Sequence, residues 1–148
     1  MSISVSALNI AHDLVPWVPL SGGKSFKPLR FLNDNRGFVE LLRLEPGTAI
    51  ARHRHTGEVH AYNLEGSREL DTGELIGPSD YVYEPAGNVD SWKVVGDVPL
   101  VLFVVVMGAV EYLAADDSVL DIYTADKLEE IYHQHCNVNG IEPRDLQF

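Results

Sequence analysis

Apolar and polar residues alternate along most of this chain in short stretches, separated by turn signals at intervals of about 8 to 12 residues. Ser21-Gly22-Gly23, Asn33-Asp34-Asn35, Pro46-Gly47, Thr56-Gly57, Glu65-Gly66, Thr72-Gly73, Gly77-Pro78-Ser79, Pro85-Ala86-Gly87 and Gly96-Asp97 are the punctuation. Between them, residues 37–44, 59–64, 80–84, 92–95 and 99–107 are rich in β-branched and aromatic side chains. Strand side chains alternate between two faces, so segments of this kind suit an all-β sandwich or barrel. The pattern changes near the end. Leu128, Ile131, Tyr132 and His135 recur at helical spacing, Thr124 stands where a cap belongs, and Gly140 follows the last periodic residues. They predict one amphipathic helix over residues 125–135, lying on the barrel. The first thirty residues, with Pro16, Pro19, Pro28 and a Gly pair, read as an irregular arm carrying one or two edge strands.

Length and composition bound this picture without altering it. A chain of 148 residues, 45% of them hydrophobic, is sized for one core, and a single domain over residues 1–148 is expected. The longest apolar run, residues 98–110, is about half a membrane span and reads as a buried Val-rich strand. Residues 1–19 have neither a basic start nor a continuous apolar middle, so a cytoplasmic location is expected. Cys136 is the only cysteine, which excludes an internal disulfide and agrees with a reducing compartment. A formal net charge of −11 repels phosphate, and Arg52 and Arg54 beside His53 are too few to track a nucleic-acid backbone. Neither nucleic acid nor an anionic membrane is therefore an expected partner.

Chemistry concentrates in the segment Arg52-His53-Arg54-His55-Thr56-Gly57-Glu58. Two His at i and i+2 of a strand share a face, so both imidazoles can reach one ion. Spacing alone leaves open a solvated pair. The surrounding residues add to it. Gly47, His53, His55 and Gly66 match the first motif of the cupin superfamily, G-x5-H-x-H-x3-E-x6-G, and Pro85 and Gly87 match the second, G-x5-P-x-G-x2-H, with Ser79 in the first Gly slot. The chain thus resembles a cupin, which implies a jelly-roll barrel with a metal at its mouth. Two slots depart from the pattern: Val59 replaces the motif's Glu, and Asp90 replaces its third His. Two His and one carboxylate form the facial triad that holds non-haem Fe(II) with open positions. Asp90 is thus either the third ligand, directly or through water, or a loop residue after the turn.

A closer resemblance runs from about Pro16 to Met107. It is carried by Pro16-Trp17-Val18-Pro19, Phe26-Lys27-Pro28-Leu29-Arg30-Phe31, Leu41-Leu42-Arg43-Leu44-Glu45-Pro46-Gly47, the stretch from Arg52 through Leu64, and Tyr81-Val82-Tyr83-Glu84-Pro85-Ala86-Gly87. These are similar to the 2,4'-dihydroxyacetophenone dioxygenase group of cupins, relatives of the acetylacetone dioxygenases and of the sensory cupins of anti-sigma factors. The resemblance implies a non-haem iron dioxygenase that cleaves a C–C bond of a hydroxyketone or diketone with O2, a hydroxyketone giving two carboxylic acids. Its ligands map on His53 and His55, with Asp90 in the third place, and an acidic position beyond Gly66 maps on Asp71. It also implies a homodimer or higher homo-oligomer, with the arm packed on a partner subunit. A redox-silent enzyme using Zn(II), Mn(II) or Ni(II), and a metal-binding sensor, stay open beside Fe(II) catalysis.

Other residues need weighing. Regular alternation turns Glu58 and His60 away from the face that carries His53, whereas a bulge would reverse them. Glu84 is either an acid at the pocket mouth, with a catalytic role, or a strand-end charge. His133, His135 and Cys136 look like ligands on paper, but residues i and i+2 of a helix do not face one another. His12 is expected in solvent. Trp17, Trp92, Tyr81 and Tyr83 are read as core or interface aromatics, one or two of which would suit an aryl ketone if they face inward.

Overall fold

The computed structural model describes residues 7–148, and of His12 only the backbone. The turns and alternating segments of the sequence are realised as twelve strands among these residues. They are β1 (Val18–Pro19), β2 (Lys24–Leu32), β3 (Gly37–Leu44), β4 (Ala49–His55), β5 (Val59–Glu65), β6 (Ser67–Leu70), β7 (Leu75–Ile76), β8 (Tyr81–Glu84), β9 (Val89–Val95), β10 (Leu100–Met107), β11 (Val110–Leu113) and β12 (Val119–Tyr123). Two six-stranded antiparallel sheets result, ordered β1-β2-β3-β10-β5-β8 and β12-β11-β4-β9-β6-β7. From β3 to β6 and again from β7 to β11 successive strands alternate between the sheets, as in a jelly-roll barrel.

Alternation decides which side chains fill the space between the sheets. On β10, Leu100, Leu102, Val104 and Val106 are buried while Phe103 is exposed. This is the Val-rich run, and its neighbours β3 and β5 cover both of its edges. Gly66 links β5 to β6 at φ +72, where a Cβ would lie 2.4 Å from the Pro99 carbonyl oxygen. Only glycine meets both demands without strain.

One α-helix among the described residues, α1 (Ala125–Val138), closes the fold, three residues longer than expected. Thr124 caps it by accepting from the Lys127 amide at 3.2 Å. Ala125, Leu128, Tyr132 and Cys136 are its buried residues, so Cys136 and not His135 takes the last inward position. Tyr132 packs on Phe31 of β2, with ring centroids 6.1 Å apart. The arm is more regular than its prolines suggest. β1 is a two-residue edge strand, but β2 runs nine residues and pairs with β3 along its length. Pro28 is tolerated inside it because the register slips between Pro28 and Arg30, a bulge where an N–H is not needed. Among the described residues no helix is long and apolar enough to cross a membrane.

Candidate metal centre

The imidazole pair sits on β4, and a bulge sets its direction. Ile50 and His53, three residues apart, are both buried, while Ala51 and Arg52 between them are exposed. An odd separation on one face requires an extra residue, and the β4–β9 register indeed shifts between Ile50 and His53. The same bulge presents the Ala51 carbonyl to His53 Nδ1 at 2.8 Å. A carbonyl only accepts, so Nδ1 carries the proton and Nε2 keeps its lone pair. His55 follows on the same face, its ring edge-on to His53 with centroids 4.9 Å apart.

The second motif is tied to the first through backbone. The Gly87 amide donates to the His55 carbonyl at 2.7 Å, and the His55 amide donates to the Asn88 carbonyl at 3.0 Å. This turn brings Glu84, the last residue of β8, over the pair. Its Oε2 lies 3.5 Å from His55 Nε2, and its Oε1 accepts from the Asn88 side-chain amide at 2.7 Å. Glu58 and His60 point the other way, as alternation requires, and contact each other at 3.4 Å on the outer face. His60 packs there against Tyr81 and Tyr83.

His53, His55 and Glu84 line one cavity of about 110 Å³, whose other walls are mainly apolar. Burial pushes the His53 pKa down, against the Ala51 hydrogen bond and the Glu84 charge. Burial also pushes His55 down to about 4, against Glu84 and with help from the His53 and Arg68 charges. Both rings are neutral at pH 7, the form a metal requires. His55 Nδ1 is buried without a hydrogen-bond partner. The donor set therefore fits a divalent ion through two imidazoles and one carboxylate, although no three His, Cys, Asp or Glu among the described residues are grouped closely enough to form a finished site.

The other expected residues fall at graded distances from this centre. Asp90 is buried on β9 directly opposite His53, and opposed residues share a face. Burial, then the Glu84 and Asp71 charges, raise its pKa to about 6, while Ser91 and Arg68 hold it down. It does not line the cavity with the imidazoles. Asp71 is exposed in the turn after β6, where its amide donates to the Ser91 carbonyl at 3.0 Å, and it reaches the centre only as a charge felt by His53 and Asp90. Trp92 is buried and lines the cavity, whereas Tyr81 and Tyr83 are exposed on the outer face. Trp17 is half-buried beneath the Lys27 ammonium, 5.4 Å from its ring. His133 and His135 form no metal cluster, and the side chain of His12 lies outside the described residues.

Several cavity residues were not anticipated. Arg68 of β6 is 2% exposed, its guanidinium 4.6 Å above the Trp92 ring, with Nε and Nη2 unpartnered. Burial lowers its pKa, opposed by Glu84 and Asp90. Tyr112 of β11, opposite His53 in register, packs its ring at 5.7 Å from that imidazole and at 5.6 Å from Tyr123. Glu40 of β3 is buried in the same cavity. Glu40 had a signal in the sequence, a carboxyl in the inward phase between Phe38 and Leu42. Arg68 had none, because its strand is four residues long.

Comparison with known proteins fits this geometry. The sequence model of the ChrR cupin-like domain matches residues 6–112. The chain belongs to that cupin family. An RmlC-like cupin protein from Ralstonia eutropha JMP134 superposes with a TM-score of 0.91 at 22% identity, over 97% of this chain and 96% of that one. An acetylacetone dioxygenase from Acinetobacter johnsonii gives 0.74 at 14% identity, over 90% and 95%. ChrR, the anti-sigma factor of Rhodobacter sphaeroides solved with SigE, gives 0.53 at 19% identity, over 64% and 49%. At these identities the solved structures establish the cupin fold alone, which is the fold the motifs implied. No curated protein sequence matches the chain.

Proposed function

We propose that this cupin is a single-domain, metal-dependent enzyme, a non-haem dioxygenase that cleaves a C–C bond of an aryl hydroxyketone or diketone. The observation that carries the reading is the convergence, in one largely apolar cavity, of two neutral imidazoles, the Glu84 carboxylate and the Arg68 guanidinium, whose Nε and Nη2 have no hydrogen-bond partner. His53, through the Nε2 that the Ala51 hydrogen bond leaves free, and His55 would hold the ion. Glu84, 3.5 Å from His55, would supply the carboxylate, with Asp90, opposite His53, as the alternative third ligand. A divalent metal there supplies Lewis acidity and open positions for a chelating substrate, and Fe(II) is the ion that suits two His, one carboxylate and dioxygen.

The chain's own groups account for the rest. Arg68 faces the site with free N–H donors, in the place to bind an enolate oxygen, and Trp92 fixes the plane of its guanidinium. If Asp90 is the ligand, Glu84 is free to take the proton lost from the carbon next to the ketone, and Asp71 tunes the centre through its charge. Leu102, Val104 and Val106 exclude water. Cleavage of a hydroxymethyl ketone with one O2 then gives two carboxylic acids, one oxygen atom entering each.

A homodimer accompanies this reading. Phe103, Tyr62 and Tyr81 lie side by side across β10, β5 and β8 and are all exposed, an apolar row that a single chain leaves uncovered. A second reading, a redox-silent Zn(II), Mn(II) or Ni(II) enzyme, is favoured by the proximity of Glu84 to His55, which suits acid–base work without oxygen. Oxygen uptake by Fe(II)-loaded protein decides between them. Uptake with 2,4'-dihydroxyacetophenone or acetylacetone that disappears in His53→Ala/His55→Ala supports the dioxygenase. Metal bound at the pair without uptake on either compound favours the second reading.

A further inference from the structure

The cavity has a second polar end that the metal chemistry does not use. Glu40 on β3 is 8% exposed and lines the cavity, and its Oε2 is buried with no hydrogen-bond partner. Its strand is separated from β8, which carries Glu84, by β10 and β5. The cross-strand row runs Glu40, Val104, Ala61, Val82, so Glu84 stands three strand intervals away, about 14 Å along the sheet, and two residues further along its strand. Leu102, Val104 and Ala61 of the intervening strands form an apolar floor between them. On the facing sheet Tyr112, whose ring packs on His53, spans the cavity from the imidazoles toward Glu40, with Tyr123 beside it.

We propose that Glu40 is a specificity-determining residue that receives a hydrogen-bonding group at the far end of the ligand, so that the cavity takes molecules with two polar ends on an apolar, ring-sized body. The size agrees: about 110 Å³ is comparable with the ~150 Å³ apolar cavity that binds benzene. The chemistry agrees as well. A buried polar atom without a partner favours any ligand that supplies one, and rejects the analogue that lacks it. Burial raises the Glu40 pKa to about 8, which leaves the carboxyl protonated at neutral pH and able both to donate and to accept. A phenolic hydroxyl para to the metal-binding oxygens is a substituent of this class. The inference rests on the cavity being the ligand site proposed above, not on turnover.

Binding measurements test it without catalysis. Dissociation constants for acetophenone and 4'-hydroxyacetophenone are measured by anaerobic calorimetric titration into the metal-loaded full-length parent, Glu40→Gln and Glu40→Leu. The parent is expected to prefer the hydroxylated probe about tenfold, Glu40→Gln to keep that preference because an amide also donates and accepts, and Glu40→Leu to bring the ratio within about twofold. Thermal melts of both variants confirm that they are folded. A parent indifferent to the hydroxyl, a Leu variant that discriminates as the parent does, or a Gln variant that loses the preference with the Leu variant overturns the inference. A retained preference in a protein without oxygen uptake leaves the inference standing and removes only the dioxygenase.

Discussion

The chain carries two His-x-His spacings, and the fold treats them in opposite ways. His53 and His55 on β4 are buried with their rings 4.9 Å apart. His133 and His135 on α1 diverge: His133 is exposed against Tyr132, and His135 turns to the Asn139 side chain at 3.3 Å. The residues are the same type at the same spacing. A period of two aligns alternate strand residues, whereas two helical steps rotate a side chain by about 200°. Spacing therefore reads as a ligand pair only together with the element that carries it.

The largest expected effect contrasts the two pairs directly. In thermal unfolding with Zn(II) at a hundredfold excess over its Kd, parent and His133→Ala/His135→Ala each gain about 2.7 kcal/mol, and His53→Ala/His55→Ala gains none. Loss of the gain in the helix variant would break the comparison. Next comes the carboxylate. Glu84→Gln lowers metal affinity about 10–100-fold, and Asp90→Ala lowers it less. Anaerobic Fe(II) titration reads both, and the reverse order would assign the third ligand to Asp90.

A third effect concerns Glu40, where inward strand phase again places a polar group in the barrel. Its pKa of about 8 lies above the usual carboxyl value of 4.5, so across that window the folded protein binds more protons than the unfolded chain. Stability contributed by the neutral acid is present below pH 4.5 and falls as pH rises toward 8. From pH 5.5 to 6.5 the parent loses about 1.4 kcal/mol relative to Glu40→Gln, measured by urea unfolding. Parallel pH profiles for the two proteins would contradict the burial of an acid there. The smallest effect belongs to the helix. Thr124→Ala costs about 1 kcal/mol by removing the cap and leaves metal content unchanged, as expected if α1 is structural. A metal content that falls with the cap would tie α1 to the centre.

Much of this was legible in the sequence because turns and alternation are local. The strand over residues 37–44, the capped helix and the inward His53 and His55 were all readable from neighbours within a few residues. The cavity was not, because its residues meet across sheets. The bulge before His53 that supplies the Ala51 carbonyl, the Arg68 guanidinium on a short strand, and Tyr112 opposite His53 depend on register, which a single strand's pattern does not specify. Pro28 inside β2 misled for a related reason: a bulge removes the need for its N–H, and bulges are set by the partner strand.

Elemental analysis of the parent and His53→Ala/His55→Ala proteins, purified in parallel without added metal, tests the central assignment most directly. About one equivalent of a divalent metal per parent chain, absent from the variant, is the predicted result. Equal metal content in the two proteins would contradict it and place the site elsewhere.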